Sequence, residues 1–339
     1  MTETPPEVAS ASRPTGPELS VIICTYNRYD LLPDAVDSLR RQDAPTGAVE
    51  IIVVDNSPDQ TRAEAFGRQY SDVPGLTYLR EARPGLANAR NVGVTAARSR
   101  IVAFIDDDAR AAPGWAAAIA AAHAAYAGRA AIVGGRVLPS WAGEKPGWLG
   151  PKILPYLSVT DLGEARRELA PSEFLPGCNL SFEKSALLAA GGFATGLGRI
   201  GPQALLSSEE LEITTRIRET GKIVVYAPDA VVEHIIHADR LSQEWFRRRA
   251  AWQAVSDLLA RPEDTRALAA KAATRLAHPV HGWRRLARLR ERSTADQVWR
   301  DMTLFYDVTI FTLCGGKPSD GSNGAIGRAR DVVRSMLKL

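Results

Sequence analysis

Cysteine is scarce in this chain. Its 339 residues hold three, Cys24, Cys178 and Cys314. No C-x-x-C pair and no zinc-ligand spacing is present, which excludes a dithiol redox motif and a zinc finger. An odd, scattered set of thiols fits a reduced, cytoplasmic setting better than a disulfide framework. Long apolar runs are missing too. The longest late one, Met302 to Cys314, is interrupted by Asp307. It falls short of the roughly 20 residues that span a bilayer. Residues 1–17 have no apolar core and no early basic cluster, so they read as a disordered tail and not as a signal peptide. No G-x-G-x-x-G follows the first apolar run, which argues against a dinucleotide-binding dehydrogenase. No internal repeat is visible. Neither sign of charge dominates: 42 Lys+Arg against 39 Asp+Glu leaves +3. That balance gives no reason to expect nucleic acid as a partner.

What is present is an ordinary globular composition, 45% hydrophobic and 24% charged. The length allows one large domain with an appendage, or two domains. Charge is unevenly spread. Residues 240–300 carry 14 Lys+Arg and 6 Asp+Glu, a local +8 that leaves the remainder near −5. A basic C-terminal portion can face anionic lipid or an acidic partner, and a solvated face is the commoner case.

Apolar, β-branched runs at Leu19–Cys24, Glu50–Val54, Leu76–Leu79 and Arg100–Ile105 read as buried strands. Helical spacing between them predicts helices over Leu31–Arg41 (N-cap Asp30), Gln60–Tyr70 and Ala87–Ala97. Strands alternating with helices imply a mostly parallel sheet covered on both faces. Further on, a helix is predicted at Trp115–Tyr126, strands at Ala130–Val133 and Asn179–Phe182, and a helix at Glu183–Ala190. A helix at Glu209–Thr220, closed by Gly221, precedes two strands, Ile223–Tyr226 and Val231–His234. Residues 139–176 read as a long loop, and helices follow from Ser242.

In parallel sheets, ligands bind beyond the carboxyl ends of the strands. Three such ends are unusually polar: Thr25-Tyr26-Asn27-Arg28, Asp55-Asn56-Ser57 and Asp106-Asp107-Asp108. All three should converge on one rim. Adjacent carboxylates repel unless a cation sits among them, and a hard divalent cation would serve. Singly, each cluster also suits a solvated turn.

The ordered series "VIICTYNR", "IIVVDNSPD", "GLANARNVGV", "IVAFIDDDA", "LPGCNLSF…GGF" and "SEELEITTRIRETGKIVVYAPDAVVEH" resembles the successive motifs of family-2 glycosyltransferases, which have the GT-A fold. The resemblance covers about residues 18–237. It implies a tail at 1–17, a GT-A nucleotide-sugar domain at 18–237, and a helical C-terminal region at 238–339. Beyond 237, "EWFRRRAAWQAVS" looks like a segment of bacterial members.

The resemblance also implies roles. Asp106 and Asp108 stand at the D-x-D positions. Asp108 would hold a manganese or magnesium ion, with Asp106 and Asp107 as ribose, sugar or further metal contacts, and His234 would approach the metal or diphosphate. Thr25, Tyr26, Asn27 and Arg28 correspond to the loop lining the nucleoside. Asp55, with Ser57 after it, would read the base edge. Arg90, beside Asn91, would lie near base and phosphates. Gly177 and Asn179 correspond to the acceptor-side loop. Glu210 falls where the family keeps its general base, usually Asp, with Glu209 before it. The simpler reading of these last two is a helix N-terminus favouring acidic residues.

The implied reaction is inverting transfer of a sugar from a nucleotide-sugar donor to an acceptor hydroxyl on a glycan, a lipid-linked sugar or a cell-envelope component. Uridine is the commonest base in the family. The competing class is a binding or scaffold protein on a degenerate glycosyltransferase fold. A homodimer, or peripheral contact with the inner membrane face through Trp283, Leu286, Ala287 and Leu289 among their arginines, is left open.

Overall fold

The computed structural model describes residues 16–44, 47–201, 204–278, 282, 291–315, 333–335 and 337. Most of the predicted tail and the candidate membrane face at 283–290 therefore lie outside the described residues.

Nine strands form one mixed sheet among the described residues. The first four, β1 (Leu19–Thr25), β2 (Val49–Asp55), β3 (Leu76–Arg80) and β4 (Ile101–Asp106), are mutually parallel in the order β3-β2-β1-β4. Between them run helices α1 (Leu32–Arg40), α2 (Gln60–Gly67) and α3 (Leu86–Ala96). Side chains alternate across each strand, so successive residues enter different cores. Val21, Ile23, Val53 and Ile105 pack with Leu32, Val36 and Leu39 of α1. Ile22, Ile52, Val102 and Phe104 pack on the other face with Ala89 and Val94 of α3. A sheet buried on both faces needs continuous apolar strands, and that is how these strands read in the sequence.

After β4 the topology becomes mixed. β5 (Ala109–Ala111) leads to α4 (Trp115–Ala125), and then come β6 (Ala130–Trp141), β7 (Arg167–Glu168) and β8 (Leu180–Glu183). Strand β8 lies antiparallel between β4 and β6. Helices α5 (Lys184–Ala189) and α6 (Glu209–Glu219) precede β9 (Ile223–Ile236), which pairs with β6, β5 and β7.

Two expectations are corrected here. Strand β6 runs to Trp141, well past Val133. The two strands expected at 223–234 are one, whose pairing to β6 jumps from Gly135↔Ala227 to Val137↔Val232. Pro228 cannot donate to a ladder, so the chain loops out there and rejoins. Gly135 makes that possible: a Cβ on it would stand 1.9 Å from the Ala230 carbonyl. The long loop expected at 139–176 contains a short 3₁₀ turn, Leu154–Leu157, and β7.

Asp30 does not cap α1, whose N-cap is Leu31 without a side-chain bond. Asp59 caps α2, accepting from the Arg62 N–H at 2.9 Å.

The C-terminal helices are α7 (Gln243–Ala260), α8 (Thr265–Leu276) and α9 (Ala295–Leu313). Phe246 and Ala250 of α7 bury against Val298 and Met302 of α9, together with Leu149, Ile153 and Leu157 of the 139–176 segment. Ala251 and Ala254 are fully buried, so α7 approaches its neighbours closely. Asp301 accepts from Arg292 at 2.9 Å, and Tyr306 donates to Asp257 at 2.8 Å. The buried Asp301–Arg292 pair locks one arrangement of helices, since breaking such a pair costs about 3–5 kcal/mol. No described helix is long and apolar enough to cross a membrane.

Candidate active site

Parallel register brings the polar strand ends together. Thr25 lies beside Asp55, and Cys24 beside Asp106. Above this rim is a cleft of about 1000 Å³, lined by the strand ends, the 139–176 segment, the turn before α6, and α7.

The three aspartates divide their work. Asp106 stays partly exposed at the strand end, whereas Asp107 and Asp108 are buried. Thr25 donates to Asp107 at 2.8 Å, and Arg28 reaches both Asp107 (3.1 Å) and Asp108 (2.5 Å). Burial and the neighbouring Asp108 push Asp107 up to about 7. Burial also works against ionised Asp108, but the adjoining His234 and His237 and the charge of Arg28 hold it well below the usual carboxylate range.

Asp106, Asp108 and His234 present ligand atoms within 4.8 Å of one another. His234 reaches this place because β9 pairs with β5, setting His234 beside Ala109. Its Nδ1 lies 3.1 Å from the Leu157 carbonyl, which can only accept, so Nδ1 carries a proton. With Nδ1 so engaged, Nε2 faces Asp108 Oδ1, 3.2 Å away. Two lone pairs at that distance need a proton or a cation between them. This donor set fits a divalent ion, with a backbone carbonyl orienting the histidine as metal sites require. His237 Nε2 stands 3.5 Å from Asp108 Oδ2.

On the opposite side, α6 opens on the acidic pair. Ser208 before it adopts φ +75°, a left-handed conformation that costs a non-glycine residue about 1 kcal/mol. That turn is held by Gln253 of α7, which donates to the Ser208 hydroxyl at 3.0 Å. Glu209 is buried and bonded to Arg90 Nη1 at 2.7 Å. Burial and the adjacent Glu210 push its carboxyl upward, with Arg90 opposing. Arg90 Nη2 also stands 3.8 Å from Asp106, so one buried guanidinium links the metal-type cluster to the acidic pair. Burial works against that charge, but Glu209, Glu210 and Asp106 keep it protonated. Gly177 makes room for it: a Cβ there would stand 2.5 Å from Arg90 Nη2. Glu210 has a buried Oε2 with no hydrogen-bond partner among the described residues, and it lines the cleft.

Of the residues singled out from sequence, Thr25, Tyr26, Arg28, Arg90, Asp106, Asp107, Asp108, Gly177, Glu209, Glu210 and His234 all line the cleft. Asn27, Asp55, Ser57, Asn91 and Asn179 are not among the lining residues. Asp55 is fully buried and accepts from Tyr29 (2.9 Å), Tyr78 (2.5 Å) and the Ser57 N–H (2.8 Å). Ser57 accepts from the Asn27 N–H at 2.8 Å, holding that loop at φ +57°. Asn91 exchanges two bonds with the Phe193 backbone. Asn179 is fully buried, accepting from Trp115 Nε1 and donating to the Arg136 and Ala230 carbonyls.

Residues not singled out beforehand also line it: Arg199, Arg240, Arg249, Gln253, Tyr156 and Trp299. Arg249 and Gln253 fall inside "EWFRRRAAWQAVS". Arg199 sits in a glycine-rich turn with no periodic signal to mark it.

Residues 20–187 match Glycosyl transferase family 2. Among curated proteins, the chain is similar to a glucosyl-dolichyl phosphate glucuronosyltransferase of Haloferax volcanii, at 29% identity over 70% of this chain and 76% of that protein. It is also similar to a pre-mycofactocin glycosyltransferase of Mycobacterium tuberculosis, at 27% identity over 72% of this chain but only 48% of that protein. Among solved structures, S. aureus TarS 1-349 in complex with UDP superposes with a TM-score of 0.51 at 18% identity, over 88% of this chain and 92% of that one. Mannosyltransferase PcManGT of Pyrobaculum calidifontis, in complex with GDP-Man and Mn2+, gives 0.51 at 19% identity, over 95% and 84%. At such identities the likeness establishes the GT-A fold.

Proposed function

Starting from a chain whose residues 20–187 belong to glycosyl transferase family 2, we propose that it is an inverting, metal-assisted glycosyltransferase using a UDP- or GDP-sugar. The carrying observation is that one cleft holds both the Asp106–Asp108–His234 cluster and a carboxylate oxygen of Glu210 left without a partner. Glu209 also has an Oε2 without a partner among the described residues, but its Oε1 is bonded to Arg90, so we assign the base to Glu210, which has no such ion pair there. It takes the proton of an acceptor hydroxyl. The hydroxyl oxygen bonds to the anomeric carbon as the bond to the diphosphate breaks, and the nucleoside diphosphate leaves with the electron pair. Single displacement inverts that carbon.

Asp106, Asp108 and His234 would hold the ion, and a mixed oxygen–nitrogen set suits manganese as well as magnesium. Such an ion would neutralise charge developing on the diphosphate. Thr25 and Arg28 hold Asp107 and Asp108 in place beside it, and Arg90 fixes the Glu209 carboxylate through Oε1.

We take residues 18–237 as the catalytic domain and 238–339 as a helical region over the acceptor side. The acceptor would be a glycan, a lipid-linked sugar or another hydroxyl compound, met in the cytoplasm or at the inner membrane face.

A donor screen by calorimetry tests this, with and without manganese, on wild type and Asp108→Ala. One nucleotide-sugar should bind only with metal and only to wild type, and its product should show an inverted anomeric signal by NMR. Binding indifferent to metal and to Asp108 would instead mark a nucleotide-binding scaffold. A retained anomeric configuration would exclude single displacement.

A further inference from the structure

We propose that Arg199 and Arg249 form a binding position for an anionic group, a phosphate or a carboxylate, carried by the acceptor. The proposal rests on the glycosyltransferase reading of the cleft and adds the chemistry of its second substrate.

The cleft holds other arginines, and they are paired. Arg28 lies on Asp107 and Asp108, Arg90 on Glu209, and Arg240 on Asp108. Arg199 and Arg249 have no carboxylate within ion-pair distance among the described residues. Arg249 is 9% exposed. Its Nη2 donates to the Ser207 hydroxyl at 3.0 Å, and its guanidinium stands 5.6 Å from the Tyr156 ring. Its Nη1 is buried with no partner among the described residues. Arg199 lines the same space, and burial together with the charges of Arg249, Arg240 and Arg28 pulls it down to about 9. Keeping a buried Arg249 and a half-buried Arg199 in one cleft, with Glu209, Glu210 and Asp257 near but not at ion-pair distance, is costly, so a fold that keeps them has an anion to gain. Arginine presents a planar fork that matches phosphate and carboxylate oxygens.

Position assigns the anion to the acceptor. Ser207, which Arg249 holds, stands two residues before the acidic pair, on the side of the base. The metal-type cluster has its own cations in Arg28 and Arg240. Beyond Arg249 the wall is aromatic, with Tyr156 and Trp299 ring centroids 6.2 Å apart, a surface for the apolar face of a sugar ring.

The test titrates glucose 6-phosphate, glucuronate and neutral glucose into the full chain by calorimetry, once with saturating UDP and manganese and once with neither. Both anionic sugars should bind about tenfold or more tightly than glucose under both conditions. Arg249→Met should lose that preference, and Arg249→Lys should keep part of it. UDP–manganese affinity of Arg249→Met should stay within about twofold of wild type. Its melting temperature should not fall, because an unpaired buried charge has been removed; this separates lost binding from lost folding. The titration without UDP reads the anion position even if no nucleotide binds, so failure of the donor reading is distinguishable. Equal affinity for all three sugars would overturn the proposal. Competition between the anions and UDP, abolished by Asp108→Asn, would assign the arginines to the donor diphosphate. UDP-glucuronate binding about tenfold above UDP-glucose, dependent on Arg249, would assign them to the donor sugar.

Discussion

The two walls of the cleft treat charge in opposite ways. On the sheet side, buried Asp107 and Asp108 are matched by Arg28, Arg240 and two histidines. On the side of α6 and α7, Arg199 and Arg249 have no carboxylate within ion-pair distance among the described residues, and Glu210 has an oxygen without a donor there. The sheet wall is a nearly balanced assembly that an incoming cation would rearrange. The helical wall is left with unmet hydrogen-bonding capacity, the cost of which is met by packing elsewhere. Groups that satisfy each other position a substrate, whereas groups left unsatisfied are available to react with it or bind it.

Removing a single group from each wall sharpens this difference. The largest effect is expected at Glu210. Glu210→Gln should lower kcat by about 10²–10⁴-fold, with donor affinity unchanged in calorimetry. A loss of donor affinity instead would put Glu210 on the sheet-side machinery. Asp108→Asn comes next. Manganese-dependent donor affinity should fall by about 10–100-fold, because Arg28 and the histidines are left without their shared anion. An unaltered metal dependence would break the assignment of that wall. Asn179→Ala should act on stability: losing three buried hydrogen bonds should cost about 2–3 kcal/mol in a denaturant melt, with KM for donor and acceptor unmoved. A KM effect without destabilisation would return Asn179 to acceptor binding. Gly177→Ala crowds the guanidinium that joins the two walls and should cost about tenfold in kcat, with donor affinity kept.

The smallest effect lies beneath both walls, at His123, which is 1% exposed and bonded to Ser181 at 3.0 Å. Burial lowers its pKa from 6.5 to about 4. Between these values the unfolded chain binds the extra proton, so stability falls as pH drops through that window. At pH 5.5 the loss is about 1 kcal/mol. His123→Gln should flatten the pH dependence of the melting temperature there, whereas an unchanged slope would assign it to other groups.

The two walls also differed in how far the sequence disclosed them. Strands β1, β2 and β4 are mostly apolar and rich in β-branched residues because both of their faces are buried, so their ends, and the polar residues there, could be placed by eye. Register then did the rest, setting Thr25 beside Asp55 and Cys24 beside Asp106. Residue type alone could not separate lining groups from supporting ones. Asp55 and Asn179 look as reactive as Asp108, yet their polar atoms are taken up by Tyr29, Tyr78 and Trp115. The helical wall was hidden for a different reason. Arg249 belongs to a run of three arginines, and only packing decides which of them turns inward. Pro228 made β9 look like two strands, since a bulge that depends on Gly135 opposite is a long-range fact.

The bond between Gln253 and Ser208 has a practical consequence for anyone who would recombine this enzyme. The turn that aims the acidic pair is latched by the same helix that carries Arg249. On the proposed reading, acceptor preference and catalytic alignment would therefore be inherited as one piece. A chimera that grafts a relative's C-terminal helices onto this sheet should bring the 207–208 turn along with them, and a fragment ending before α7 would lose the bond that holds the turn before Glu209 and Glu210.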